Sequence, residues 1–217
     1  MTIPVLSGCL TPSGSQPGPS RKRIPVRRQP TGGILGIVCL LLLALPASSN
    51  DVVIGDVSFS EEISVGTQRL TLSGLGLLKH RLLFRAYAGG LYLPGGLSAT
   101  DALADAPKAL ELHYFWAIEG SRFGDAANAM LERSHPPERI AALRARLDRL
   151  HTLYRNVEAG DRYRLAYVPG RGTTLSYNGS ELGTIPGADF ASAYFGIWLG
   201  ENPISPDFKA QLFDDLR

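Results

Sequence analysis

The stretch Leu70–Pro94, LTLSGLGLLKHRLLFRAYAGGLYLP, constrains this chain more than any other. Leu70–Leu72 reads as a strand, with a turn expected at Ser73–Gly74 and Gly76, because glycine serves where a backbone must bend sharply. A longer strand is expected from about Leu82 to Leu93, rich in Tyr, Leu and Phe and free of proline until Pro94 stops it. Gly89 and Gly90 inside it mark a bulge or a close approach of another group to the backbone. Strict alternation places Arg85, Tyr87 and Gly89 on one face. A strand carrying Arg85, Tyr87 and Tyr92 can wall a small-molecule pocket. There Arg85 would hold a carboxylate or phenolate through charge-assisted hydrogen bonds, and Tyr87 would add a donor. The alternative is that Arg85 snorkels to solvent while Tyr87 packs in the core.

The segments around this stretch set the fold class. Asp51–Ser60, Glu61–Val65 and Gln68–Leu72 read as short strands. Ala109–Ala117 is a strong strand whose alternation puts Leu110, Leu112, Tyr114 and Trp116 on one face, which adds Trp116 to the candidate binding residues. Ser121–Arg133 has a helical stripe of Phe123, Ala127, Met130 and Leu131. A second helix follows Ser134 with Pro136 and Pro137 at its start, and buries Ile140, Leu143, Leu147, Leu150 and Tyr154. Asp161–Val168 and Thr173–Tyr177 are strands, and Asn178-Gly179 is a strong hairpin signal before the return strand Ser180–Ile185. Gly187–Leu199 is an amphipathic helix with Phe190, Ala193, Tyr194, Ile197 and Trp198 on one face, and Ser205-Pro206 opens the last helix. Strands and helices segregate rather than alternate. The class is therefore α+β, a large antiparallel sheet covered on one side by helices.

Charge and leader narrow the function classes. The net charge is +2, but the first 50 residues hold five of the 22 basic residues and none of the 20 acidic ones. The remainder has 17 basic against 20 acidic residues and carries −3, so the basicity gives no support to a nucleic-acid partner. The apolar run Gly32–Leu45, preceded by Arg27-Arg28 and followed by Pro46-Ala47-Ser48-Ser49, reads as a signal peptide and is short for a bilayer span. Residues 1–49 are thus expected to be an N-terminal extension and signal peptide, and 50–217 a single domain, periplasmic or secreted. The alternative is an uncleaved anchor in the inner membrane through residues 33–45, the one expected membrane contact. Both cysteines, Cys9 and Cys39, lie in the leader, which leaves the domain without disulfides, thiol nucleophiles or thiolate metal ligands. A domain of this length buries roughly 70% of its unfolded surface and needs no staple.

Chemical motifs are few. Gly74-x-Gly76-x-x-Lys79 lacks the spacer and the Lys-Ser/Thr end of a phosphate loop. His80, His113, His135 and His151 have no metal-ligand spacing, and no G-x-S-x-G elbow is present. No cofactor and no metal are expected, and no catalytic residue is assigned.

The chain resembles the chalcone isomerase-like family, in its exported bacterial branch. The resemblance runs from about Val65 to Leu216. It rests on Leu72-Ser73-Gly74-Leu75-Gly76, on Ala86-Tyr87-Ala88-Gly89-Gly90-Leu91-Tyr92-Leu93-Pro94, on Tyr167-Val168-Pro169-Gly170, and on Gly183-Thr184-Ile185-Pro186-Gly187-Ala188-Asp189-Phe190 with Ile197-Trp198-Leu199-Gly200. It implies an open-faced β-sandwich with a ligand cleft between sheet and helices. It also implies one of two functions. The plant enzymes of the family cyclise a chalcone enone without a cofactor, with an arginine, a tyrosine and hydroxyls steadying the enolate. Relatives lacking that set bind fatty acids, with an arginine and a tyrosine on the carboxylate. Here Tyr87 stands where the enzymes place a threonine, and Leu77-Leu78 where many members carry the arginine. The function expected is binding of a small apolar or carboxylate-bearing, fatty-acid-like ligand; the alternative is an active isomerase acting on a chalcone-like enone.

Overall fold

A computed structural model describes residues 50–80, 84–214 and 216. The expected signal peptide, residues 33–45 included, lies outside the described residues, as does the expected beginning of the long strand at Leu82.

Nine strands, four α-helices and a short 3-10 turn (Ala99–Asp101) make up the described chain. Strands β1 (Asp51–Ile54) and β2 (Val57–Ser60) form a separate antiparallel hairpin. The other seven form one antiparallel meander in sequence order. They are β3 (Glu62–Val65), β4 (Gln68–His80), β5 (Phe84–Leu93), β6 (Lys108–Tyr114), β7 (Arg162–Val168), β8 (Gly172–Tyr177) and β9 (Ser180–Ile185). Helices α1 (Gly120–Ser134) and α2 (Pro137–His151) are inserted between β6 and β7, and α3 (Ala188–Leu199) and α4 (Pro206–Phe213) follow β9. The expected α+β class, with helices layered on an antiparallel sheet, is what the chain adopts.

The pleat divides the sheet's side chains between two cores. Tyr87, Leu91, Leu110, Leu112, Tyr114, Tyr163 and Leu165 face the helices and pack with the buried stripes of all four. Ala88, Tyr92, Ala109 and Ala166 point the other way, onto a smaller core closed by Val57 and Phe59 of the β1–β2 hairpin. Local chemistry fixes several element ends. Pro137 occupies the first turn of α2, where its missing N–H costs nothing. The Ser205 hydroxyl accepts from the Phe208 N–H at 3.2 Å and caps α4. Asn178 and Gly179 take φ of 47° and 81°, as a tight hairpin turn between β8 and β9 requires.

One expectation is corrected. Ser73, Gly74 and Gly76 do not turn the chain; β4 runs through them for 13 residues, with a register irregularity between Leu72 and Gly74. Neither glycine has a positive φ. Their purpose is closeness to α4. A Cβ on Gly74 would stand 2.1 Å from the Leu212 carbonyl oxygen, one on Gly76 2.8 Å from the Phe208 ring, and one on Gly89 2.6 Å from the same ring. These glycines form the seat on which α4 lies. The Gln211 Oε1 also accepts from the Leu77 N–H at 2.9 Å, which ties helix to strand. Phe208 and Leu212 are fully buried there, each contributing about 1.5–3 kcal/mol.

Candidate functional site

Large aromatic side chains on the helix-facing side of the sheet hold the two layers apart and leave a cavity of about 250 Å³. Tyr87 of β5, Leu110, Leu112 and Tyr114 of β6, Tyr163 and Leu165 of β7 and Leu175 of β8 form its floor. Phe123, Ala127 and Met130 of α1 and Tyr194, Ile197 and Trp198 of α3 form its roof. Tyr154, beyond the end of α2, closes one side by stacking on Phe123, their ring centroids 4.9 Å apart. The exposed residues of the wall, Arg122, Ala126 and Ile204, with half-buried Ile118, mark the mouth where the cavity meets solvent. The loop bearing Ile204 is fixed to α1 by Arg133, whose Nη2 donates to the carbonyls of Asn202 at 3.1 Å and Pro203 at 2.9 Å.

The interior polar atoms are phenols. Tyr163 donates to the Arg155 carbonyl at 3.0 Å and accepts the Arg155 N–H at 2.7 Å. The hydroxyls of Tyr154 and Tyr194 lie 3.0 Å apart and share one hydrogen bond. The Tyr87 hydroxyl accepts from the Trp198 indole N–H at 2.9 Å, which leaves its own proton to donate. Tyr114 is the cross-strand partner of Tyr87, with ring centroids 5.7 Å apart. Burial raises the pKa of Tyr87, Tyr114, Tyr154 and Tyr194 far beyond neutrality, so all four remain uncharged donors and acceptors. Among the described residues, Arg122 is the cation of this wall. The arrangement can enclose an apolar body and offer hydrogen bonds to one neutral oxygen.

Of the four residues singled out in the sequence, only Tyr87 lines the cavity. Arg85 lies on the opposite side of the sheet. Its Nη1 donates to Asp56 Oδ1 at 2.6 Å, and its guanidinium sits over the Phe115 ring, 4.5 Å from the centroid. The cause is a bulge. Leu78 pairs with Tyr87 and Lys79 with Arg85, so Ala86 is an extra residue that breaks the alternation between them. The expectation of a shared Arg85–Tyr87 face is thereby corrected. Tyr92, five residues from Tyr87, points to the hairpin side, where its hydroxyl is buried without a hydrogen-bond partner among the described residues. Trp116 is about half exposed and donates its Nε1–H to the Arg85 carbonyl at 2.6 Å. It does not continue the row of Tyr114, because β6 ends at Tyr114 and the chain bends after it.

The cavity residues that the sequence did not mark as a site are Tyr114, Phe123, Met130, Tyr154, Tyr194 and Trp198. Their signal was visible as inward-facing stripes on one strand and three helical segments, but such stripes read as ordinary core.

A family model described as chalcone isomerase-like matches residues 51–214. Among solved structures, the crystal structure of a fatty-acid binding protein from Arabidopsis thaliana aligns with a TM-score of 0.60 at 18% sequence identity, covering 76% of this chain and 96% of that one. That likeness is one of fold. No curated protein sequence matches the chain. Among the described residues no helix is long and apolar enough to cross a membrane.

Proposed function

The chain belongs to the chalcone isomerase-like family, and from that premise we propose that it binds a small, predominantly apolar, fatty-acid-like ligand in the cavity between sheet and helices. One observation carries the reading: an apolar cavity of about 250 Å³, open to solvent, with neutral phenols as its interior polar groups. Small-ligand pockets commonly hold roughly 300–1,000 Å³ and are lined in this manner; this cavity falls just below that range, so its occupant is small. The similarity in fold to a protein described as fatty-acid binding supports the same ligand class. Arg85 has no part in this reading, since it lies across the sheet and is tied to Asp56. Export, with action in the periplasm or outside the cell, stands beside it as a proposal from the N-terminal segment. A mature chain beginning near residue 50 would support export, and an intact N-terminus on a cytoplasmic protein would refute it.

The test is binding of 1-decanol, followed by the fluorescence of Trp198, whose indole N–H contacts Tyr87 in the cavity wall. Saturable binding is expected, lost in Ala127→Trp, which fills the cavity, and retained within about twofold in Arg85→Ala. Binding that survives Ala127→Trp in a folded protein would place the ligand elsewhere and refute the reading.

A further inference from the structure

The cavity wall treats charge unevenly, and this orients the ligand. A carboxylate at the inner end would lose its hydration among uncharged phenols, and a buried anion without a cation is strongly disfavoured. Arg122 is the one cation of the wall among the described residues, and it stands at the mouth with Ile118, Ala126 and Ile204. Its side chain is 72% exposed, and it pairs with Glu119, one turn back, at 3.5 Å. Helix stability does not account for its place, because a cation in the first turn of α1 opposes the helix dipole. Outside the mouth, Arg122 also borders an open depression that contains Glu119, Asn156 and Glu158. Without Arg122 the charged residues of that depression would be Glu119 and Glu158, which disfavour an anion beside it.

The geometry points to Arg122 as a rim anchor: a single-chain amphiphile enters tail first and leaves its anionic head group at the mouth, paired with Arg122 in exchange for Glu119. This rests on the binding reading above and adds its orientation and head-group charge. Arg122 is a specificity-determining residue that touches the head group, and Glu119 is its intramolecular competitor.

Decanoate and 1-decanol serve as a charged and a neutral probe of equal chain length, titrated at pH 7.5 against the full chain. Arg122→Gln is expected to weaken decanoate about two- to fivefold, as suits an exposed ion pair, and to move 1-decanol clearly less. Glu119→Gln is expected to strengthen decanoate by a similar factor, again with clearly less effect on 1-decanol. Raising the salt should weaken decanoate alone. Both substitutions lie at exposed positions, so folding is preserved. If 1-decanol binds and neither variant moves decanoate, the rim anchor is overturned. Decanoate that responds to Tyr87→Phe or Tyr114→Phe but not to Arg122→Gln would place the head group inside and would overturn the anchor equally. If neither probe binds the unaltered protein, the binding reading itself fails and takes the anchor with it.

Discussion

The two faces of the central sheet are built from alternate residues of the same strands, yet they are filled in opposite ways. On the hairpin side the strands present Ala88, Gly90, Ala109 and Ala166 beside the large ring of Tyr92, and Phe59 comes down onto the backbone: a Cβ on Gly90 would stand 3.0 Å from the Phe59 ring. Polar closure on that side is ionic. Glu111 accepts from Arg162 at 2.6 Å and Arg164 at 2.7 Å, and the Arg162 guanidinium covers the Phe59 ring at 4.9 Å. On the helix side the same strands present Tyr87, Tyr114 and Tyr163, whose rings meet edge to face and prop the helices away from the sheet. Small residues let one layer collapse onto the sheet, and large rigid ones keep the other at a distance. The apolar cavity of this fold therefore belongs to one face, and α4 shows that even there it is local. Over Gly74, Gly76 and Gly89 the helix layer touches the sheet.

The harshest way to break this contrast is to remove that contact. Gly74→Val places a side chain where the Leu212 carbonyl oxygen already lies. A loss of about 3 kcal/mol or more is expected, or a fall in Tm of about 6–12 °C, read by thermal unfolding. An unchanged Tm would mean that α4 does not depend on the glycine seat.

A matched pair sharpens it further. Ala88→Leu enlarges a fully buried residue on the filled face and is expected to cost about 1–3 kcal/mol. Ala127→Leu enlarges a cavity-lining residue on the other face and is expected to change stability by less than about 0.5 kcal/mol while weakening ligand binding. Equal costs for the two substitutions would show that the helix face has no spare room.

A third test concerns the closed end of the helix face. Lys108 begins the row that continues through Leu110, Leu112 and Tyr114, and it is almost wholly buried. Its Nζ donates to the Ala104 carbonyl at 2.5 Å and lies 5.0 Å from the Tyr167 ring centroid. Burial lowers its pKa from 10.5 to about 8, against the pull of Asp105. The unfolded chain then binds more protons than the folded one between about pH 8 and 10.5, so stability should rise across the lower part of that window. Above about pH 10 the buried tyrosines act in the opposite sense, because they hold their protons longer when folded. Urea unfolding at pH 7.5, 8.5 and 9.5 measures the rise. Lys108→Met should flatten it, and a rise that persists in that variant would assign it to another group.

Much of the fold was legible in the sequence because periodicity is a local property. The stripe from Ile140 to Leu150 specified α2 and its buried side, although Tyr154, expected on the same stripe, lies beyond the helix end, and Asn178-Gly179 specified a hairpin, since a turn of that hand needs positive φ at both residues. The site was less legible. Tyr87 was found on a strand judged capable of walling a pocket, whereas Arg85 and Trp116 were grouped with the pocket by an alternation that did not hold. A cavity is a difference in volume between two packed layers, and no single stripe encodes it: Phe123 and Trp198 would look the same in a filled core.

The sequence by itself thus determined which segments are strands and helices, their segregation into an α+β order, and the resemblance to the chalcone isomerase-like family. Only the tertiary structure decided that Gly74 and Gly76 seat a helix instead of making a turn, and that Ala86 is bulged. It alone placed Arg85 and Tyr87 on opposite faces. The reason is physical. Side-chain parity along a strand survives only while the ladder to the neighbouring strand stays regular, and the space beside a glycine has meaning only once the group that fills it has arrived.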